Sequence, residues 1–64
     1  MQSQLDRLWI RLLSDLENPN LKSRMRKENE QVIIQFTTSQ DTDVIIITYS
    51  FPKATYQTLK HKWQ

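Results

Sequence analysis

The chain has no glycine in 64 residues, and that constrains its turns and its chemistry together. Glycine reaches positive φ without a steric penalty and lets a backbone approach a ligand closely. Phosphate-cradling loops, dinucleotide fingerprints and nucleophile elbows depend on it, so none of these motifs is present. Turns fall instead to Asn, Asp and Pro, as at Asn18, Pro19 and Asp41. Cysteine is missing too, which removes disulfides and thiolate metal sites. His61 is the one histidine, and alone it cannot supply the roughly four ligands of a structural zinc. Neither the Asp41, Asp43 pair nor His61 selects a reaction, so no catalytic, cofactor or metal residue is assigned and a non-enzymatic protein is expected.

One domain over residues 1–64 is expected, with no internal repeat or linker. Below about 70 residues a single core supplies only roughly 3–5 kcal/mol of net stability, so such a chain commonly gains more from a partner. Its 38% hydrophobic and 25% charged residues are values of a folding chain rather than a disordered one. Asp6, Arg7, Arg11 and Asp15 interrupt the N-terminal segment, which does not read as a secretory signal. The longest apolar run, Val44 to Ile47, is far short of the roughly 20 residues that span a bilayer. A cytoplasmic protein without membrane contact is expected, and its size suits a bacterial or phage product.

Leu5, Leu8, Trp9, Leu12 and Leu16 recur at helical spacing, with Leu13 at the edge of the stripe. Ser3 and Asp6 have the spacing of a capping box, and Pro19 disfavours helical backbone at Asn18, so the helix runs from near Ser3 to before Pro19. Ile10 lies about 140° around this helix from the start of the stripe, which marks it as an interface residue. Residues 18–30 read as a short second helix, with Asn18 as cap, Pro19 in the first turn and Leu21 four residues before Met25, or as a polar loop. The short helix is the expectation carried forward.

Residues Gln31 to Thr38 and Val44 to Phe51 are rich in β-branched and aromatic side chains and read as two strands of a hairpin. Without glycine, a longer loop built around Asp41 is expected between them rather than a two-residue type I′ turn. Alternation places Val32, Ile34 and Phe36 on one face of the first strand and Ile33 on the other. In the second, Ile45, Ile47, Tyr49 and Phe51 oppose Val44, Ile46 and Thr48. Tyr56, Leu59 and Trp63 then form a stripe on a last helix beginning near Pro52, with Lys60, His61 and Lys62 in its final turn. The expected fold class is α+β, ordered helix, short helix, β-hairpin, helix.

Apolar side chains on both strand faces exceed what so short a chain can cover, which predicts completion by homodimerisation through Ile33, Ile45, Ile47 and Tyr49. The leading expectation of function is a small regulator or adaptor that docks on a larger protein through Arg24, Arg26, Lys27 and Ile10. The alternative is a nucleic-acid-binding regulator. Positive charge is concentrated in residues 21–35, at +2, and 53–64, at +3. Lys22, Arg24, Arg26 and Lys27 would form a phosphate-binding patch if the fold set them beside Lys53, Lys60 and Lys62.

Overall fold

A computed structural model describes residues 3–63. Two helices, α1 (Gln4–Glu17) and α2 (Lys53–Lys62), bracket three strands, β1 (Leu21–Glu28), β2 (Gln31–Thr38) and β3 (Ile45–Pro52). The strands form one antiparallel sheet in the order β1-β2-β3, so β2 is central and both others are edges. The fold is a small α+β domain, as expected from the sequence. Among the described residues no helix is long and apolar enough to cross a membrane.

α1 begins and ends where its sequence directs. The Asp6 backbone N–H donates to Ser3 Oγ at 3.1 Å, which satisfies one free amide of the first turn. Asn18, held at ψ 117 in extended backbone ahead of Pro19, closes the helix. Trp9 and Leu12 are buried, and Leu13 packs against the same cluster. Leu5 and Leu16 lie on the stripe near the two ends of α1 and stay exposed.

The expected short helix at 18–30 does not form; the segment is strand β1. Its sequence misleads for a simple reason. A separation of four residues, Leu21 to Met25, returns to one face in a helix and in a strand alike. The period that discriminates is carried by charge, since Lys22, Arg24 and Arg26 alternate with the uncharged Leu21, Ser23 and Met25 before Lys27 breaks the pattern. β1 has no β-branched residue, and its pairing with β2 overrides a local preference for helix.

That pairing depends on a turn the missing glycine argued against. Glu28 pairs with Gln31, leaving Asn29 and Glu30 as a two-residue connection with φ of 50° and 65°. Both values lie in the left-handed region that a type I′ hairpin turn requires. Asn29 adopts it readily, whereas Glu30 is held there against a penalty of about 1–2 kcal/mol. The Glu30 carbonyl accepts the first amide of α2, from Lys53, at 2.8 Å, so the strained turn also anchors the second helix.

The core occupies one side of the sheet. Val32, Ile34 and Phe36 of β2 stand beside Phe51, Tyr49 and Ile47 of β3 and pack with Trp9, Leu12 and Leu59. Trp9 meets Phe51 and Tyr56 edge to face, at ring-centroid distances of 5.9 and 5.4 Å. A bulge corrects the expected faces of β3: Phe36 pairs with Ile47 but Thr37 pairs with Ile45. Ile46 is the extra residue, and Ile45 is thereby displaced from the core face to the opposite one. The second strand accordingly starts at Ile45 rather than Val44. Within the loop joining β2 to β3, Asp43 N–H donates to Asp41 Oδ1 at 3.1 Å, the turn-forming role expected of Asp41.

Replacing Glu30 with glycine removes the left-handed penalty and adds freedom to the unfolded chain, for a net gain of about 0.5–1 kcal/mol. Urea denaturation of Glu30→Gly measures this; a loss of stability would contradict the turn geometry.

Candidate functional site

The register of β1 on β2 sorts the basic segment onto two faces. Lys22, Arg24 and Arg26 stand opposite Thr37, Gln35 and Ile33, on the face that carries no helix. Ser23, Met25 and Lys27 stand opposite Phe36, Ile34 and Val32, on the side where the core lies. Beyond Leu21 every residue of β1 is exposed, Met25 by 53% despite facing the helical side. β1 therefore projects past the helical layer with both faces open to solvent.

On the helical side Lys27 faces a groove against α2. Its lining is Lys27, Val32, Lys53, Tyr56, Gln57, Lys60 and His61, around a volume of about 380 Å³. Three lysines and a histidine converge there without a carboxylate in the lining. Lys53, Tyr56, Gln57 and Lys60 follow one another at i, i+3, i+4 and i+7, so one helical stripe carries all four to the groove. That stripe was present in the sequence, beside the apolar stripe of the same helix, with which it shares Tyr56. Of the latter, Leu59 is buried and Tyr56 half-buried, while Trp63 remains 38% exposed with Lys62 Nζ 5.9 Å from its ring centroid.

The expected union of Lys22, Arg24, Arg26 and Lys27 with the α2 lysines thus divides in two. Only Lys27 joins Lys53 and Lys60. Lys62 serves the fold instead, its ammonium donating to both oxygens of Asp6 at 3.1 and 2.9 Å. That bond holds the buried Asp6 carboxyl below its ordinary range, against the opposing effect of burial. Its stabilising contribution is present above the ordinary carboxylate pKa and is lost as pH falls below it.

On the open face Lys22, Arg24, Gln35, Thr37, Thr42, Asp43 and Ile45 line a second, shallow depression. Arg26 is partly engaged by Glu28 at 3.2 Å, an exposed pair of small energetic consequence. Ile33 and Ile45, with the exposed Ile46 at the bulge and Pro52 opposite Gln31, interrupt the otherwise polar residues of this face. β1 adds no apolar side chain to this face, whereas the bulge moves Ile45 onto it, so the apolar excess expected on the second strand face is concentrated at Ile33 and the start of β3.

Two of the four residues expected to self-associate point inward. Tyr49 is buried and Ile47 packs against the core, whereas Ile33 is half-buried and Ile45 is 51% exposed. Ile10 is exposed on α1. The Tyr49 hydroxyl donates to Asp15 Oδ2 at 2.6 Å and ties the end of α1 to the sheet. Burial, reinforced by the Asp15 carboxylate, raises the Tyr49 phenol to about 12.

No protein-family model matches the chain, and no curated protein or solved structure matches it either. What the site does chemically is therefore argued from its own side chains: flexible ammonium and guanidinium groups that attract and hold oxyanions.

Because the Tyr49 phenol titrates higher in the folded protein than its ordinary 10.0, its contribution to stability is full below pH 10 and is lost as pH rises through about 12. Tyr49→Phe is expected to cost about 1–2 kcal/mol at neutral pH and to flatten the alkaline limb of the stability curve. An unchanged limb would contradict this assignment.

Proposed function

We propose that the protein is a non-enzymatic nucleic-acid-binding module that grips phosphates with the cationic flank formed by β1 and α2. The observation that carries this is the convergence of Lys27, Lys53 and Lys60, with His61, on a groove whose lining holds no carboxylate. Exposed ammonium groups that line one groove raise the local positive potential and attract an anionic ligand. Phosphate contact by lysine is insensitive to base identity, so affinity rather than sequence choice is the expected contribution of this groove. Lys22, Arg24 and Arg26 extend the positive field around the edge of the sheet.

The test is fluorescence anisotropy of a short labelled DNA duplex across a salt series. Binding is expected to weaken steeply between about 50 and 200 mM salt. The triple variant Lys27→Ala, Lys53→Ala, Lys60→Ala is expected to reduce the salt slope by roughly three, about one for each phosphate contact removed. Nucleic-acid binding absent at the lowest salt would overturn the proposal.

A protein-binding adaptor that self-associates is the second reading, favoured by a different observation. β3 is an edge strand without a charged residue, and Val44, Ile45 and Ile46 are about half exposed at its start. Such an edge offers unpaired backbone and apolar side chains to another strand, whereas lysines and arginines guard β1. Ile10, with Arg24, Arg26 and Lys27, would remain the contacts to a larger partner. Light scattering at tens of micromolar is expected to give the mass of a dimer under this reading, and a folded monomer would contradict it.

A further inference from the structure

β1 is exposed on both faces and carries cations on both. Lys22, Arg24 and Arg26 project from the open face; Lys27 projects from the other, beside Lys53 and Lys60. A single flat anionic surface reaches one of these sets and leaves the other in solvent. Two parallel anionic walls with a gap between them reach both. The major groove of B-form DNA is such an arrangement, about 12 Å wide and able to admit a two-stranded β-ribbon. A sheet with side chains standing on each face occupies close to the roughly 10 Å spacing of packed sheets, so long basic side chains on either face come within reach of the phosphates on each wall.

The placement of the aromatic residues argues for a duplex over a single strand. Sequence-tolerant binding of single strands relies on exposed aromatic rings that stack with successive bases. Phe36, Tyr49, Phe51 and Trp9 are buried in the core, and Tyr56 is packed edge to face on Trp9. The open face holds Thr, Gln, Ser and Ile residues beside its cations. Among the described residues Trp63 is partly exposed and Tyr56 half-buried, two rings on one helix rather than a row of stacking platforms. Duplex RNA fits poorly for a separate reason, since the A-form major groove is deep and too narrow for side chains to read.

We infer that β1 enters the major groove of B-form DNA edge first, with Lys22 and Arg24 on one phosphate wall and Lys27, Lys53 and Lys60 on the other. This mode rests on the nucleic-acid reading above and assigns it a substrate class. It also gives a role to the exposure of Met25 and Ser23 on the helical side, which leaves clearance for a wall of the groove.

The experiment compares a DNA duplex, an RNA duplex of the same sequence and the single DNA strand by anisotropy at one salt concentration, with methyl green as a major-groove competitor and netropsin as a minor-groove one. DNA duplex binding about tenfold tighter than to either other ligand is expected, displaced by methyl green and not by netropsin. Lys22→Ala with Arg24→Ala, and separately Lys27→Ala with Lys53→Ala, are each expected to lower the salt slope by roughly two. Equal or tighter binding to RNA duplex or single strand, displacement by netropsin, or a slope that responds to one face only would overturn the groove mode while leaving nucleic-acid binding in place. Binding to none of the three ligands would overturn both. Circular dichroism of each variant separates loss of contact from loss of fold.

Discussion

The two-residue turn at Asn29 and Glu30 decides which face of β1 each side chain occupies. Because side chains alternate with a period of two, a slip of one residue against β2 would exchange the faces of the whole strand. Lys22, Arg24 and Arg26 would then turn toward the apolar side of the sheet, and Met25 would turn away from it. The turn prevents this with positive φ at two consecutive residues without glycine, and its second carbonyl receives the amide that starts α2. Strand register, helix placement and the geometry of the cationic groove therefore share one origin. A strained residue at the junction of three elements is consistent with the surrounding structure over-determining it.

The core lies on one side of the sheet and leaves apolar side chains such as Leu8, Leu16, Val44 and Ile46 exposed outside it. Two helices suffice to cover one side of β2 and β3, and that side takes nearly all the aromatic and aliphatic side chains that become fully buried. The edge-to-face contacts of Trp9 with Phe51 and Tyr56 lock α1, β3 and α2 to one another, while Asp6 with Lys62 and Asp15 with Tyr49 tie both ends of α1. β1 contributes Leu21 to this cluster and little else. It is held by backbone pairing rather than burial, which frees its other side chains to be charged.

Most of the fold was legible in the sequence, and the part that was not has a physical cause. The Leu5 to Leu16 stripe, the Ser3 cap and Pro19 delimit α1; β-branched runs delimit β2 and most of β3. At β1 the residues Lys, Arg, Met and Glu are good helix formers, and the spacing of Leu21 and Met25 suits either structure. The alternation of charge was the available signal, along with Asn29 in a hairpin position. Ile45 was assigned to the wrong face because a bulge adds a residue that no period-two count anticipates. As for the site, the basic residues were visible but their grouping was not. Lys62 was claimed by Asp6 across the fold, Lys27 faced away from its neighbours in sequence, and Lys53 and Lys60 joined it only through the docking of α2.

The central claim is that residues 21–28 form a strand in the register that divides the cations between two faces. Nuclear Overhauser contacts in the isolated protein measure this directly. Cross-strand contacts placing Met25 opposite Ile34, Ser23 opposite Phe36 and Arg24 opposite Gln35 are predicted. Helical contacts between residues three apart through 21–28, or pairing shifted by one so that Arg24 meets Ile34, would contradict the account at its base.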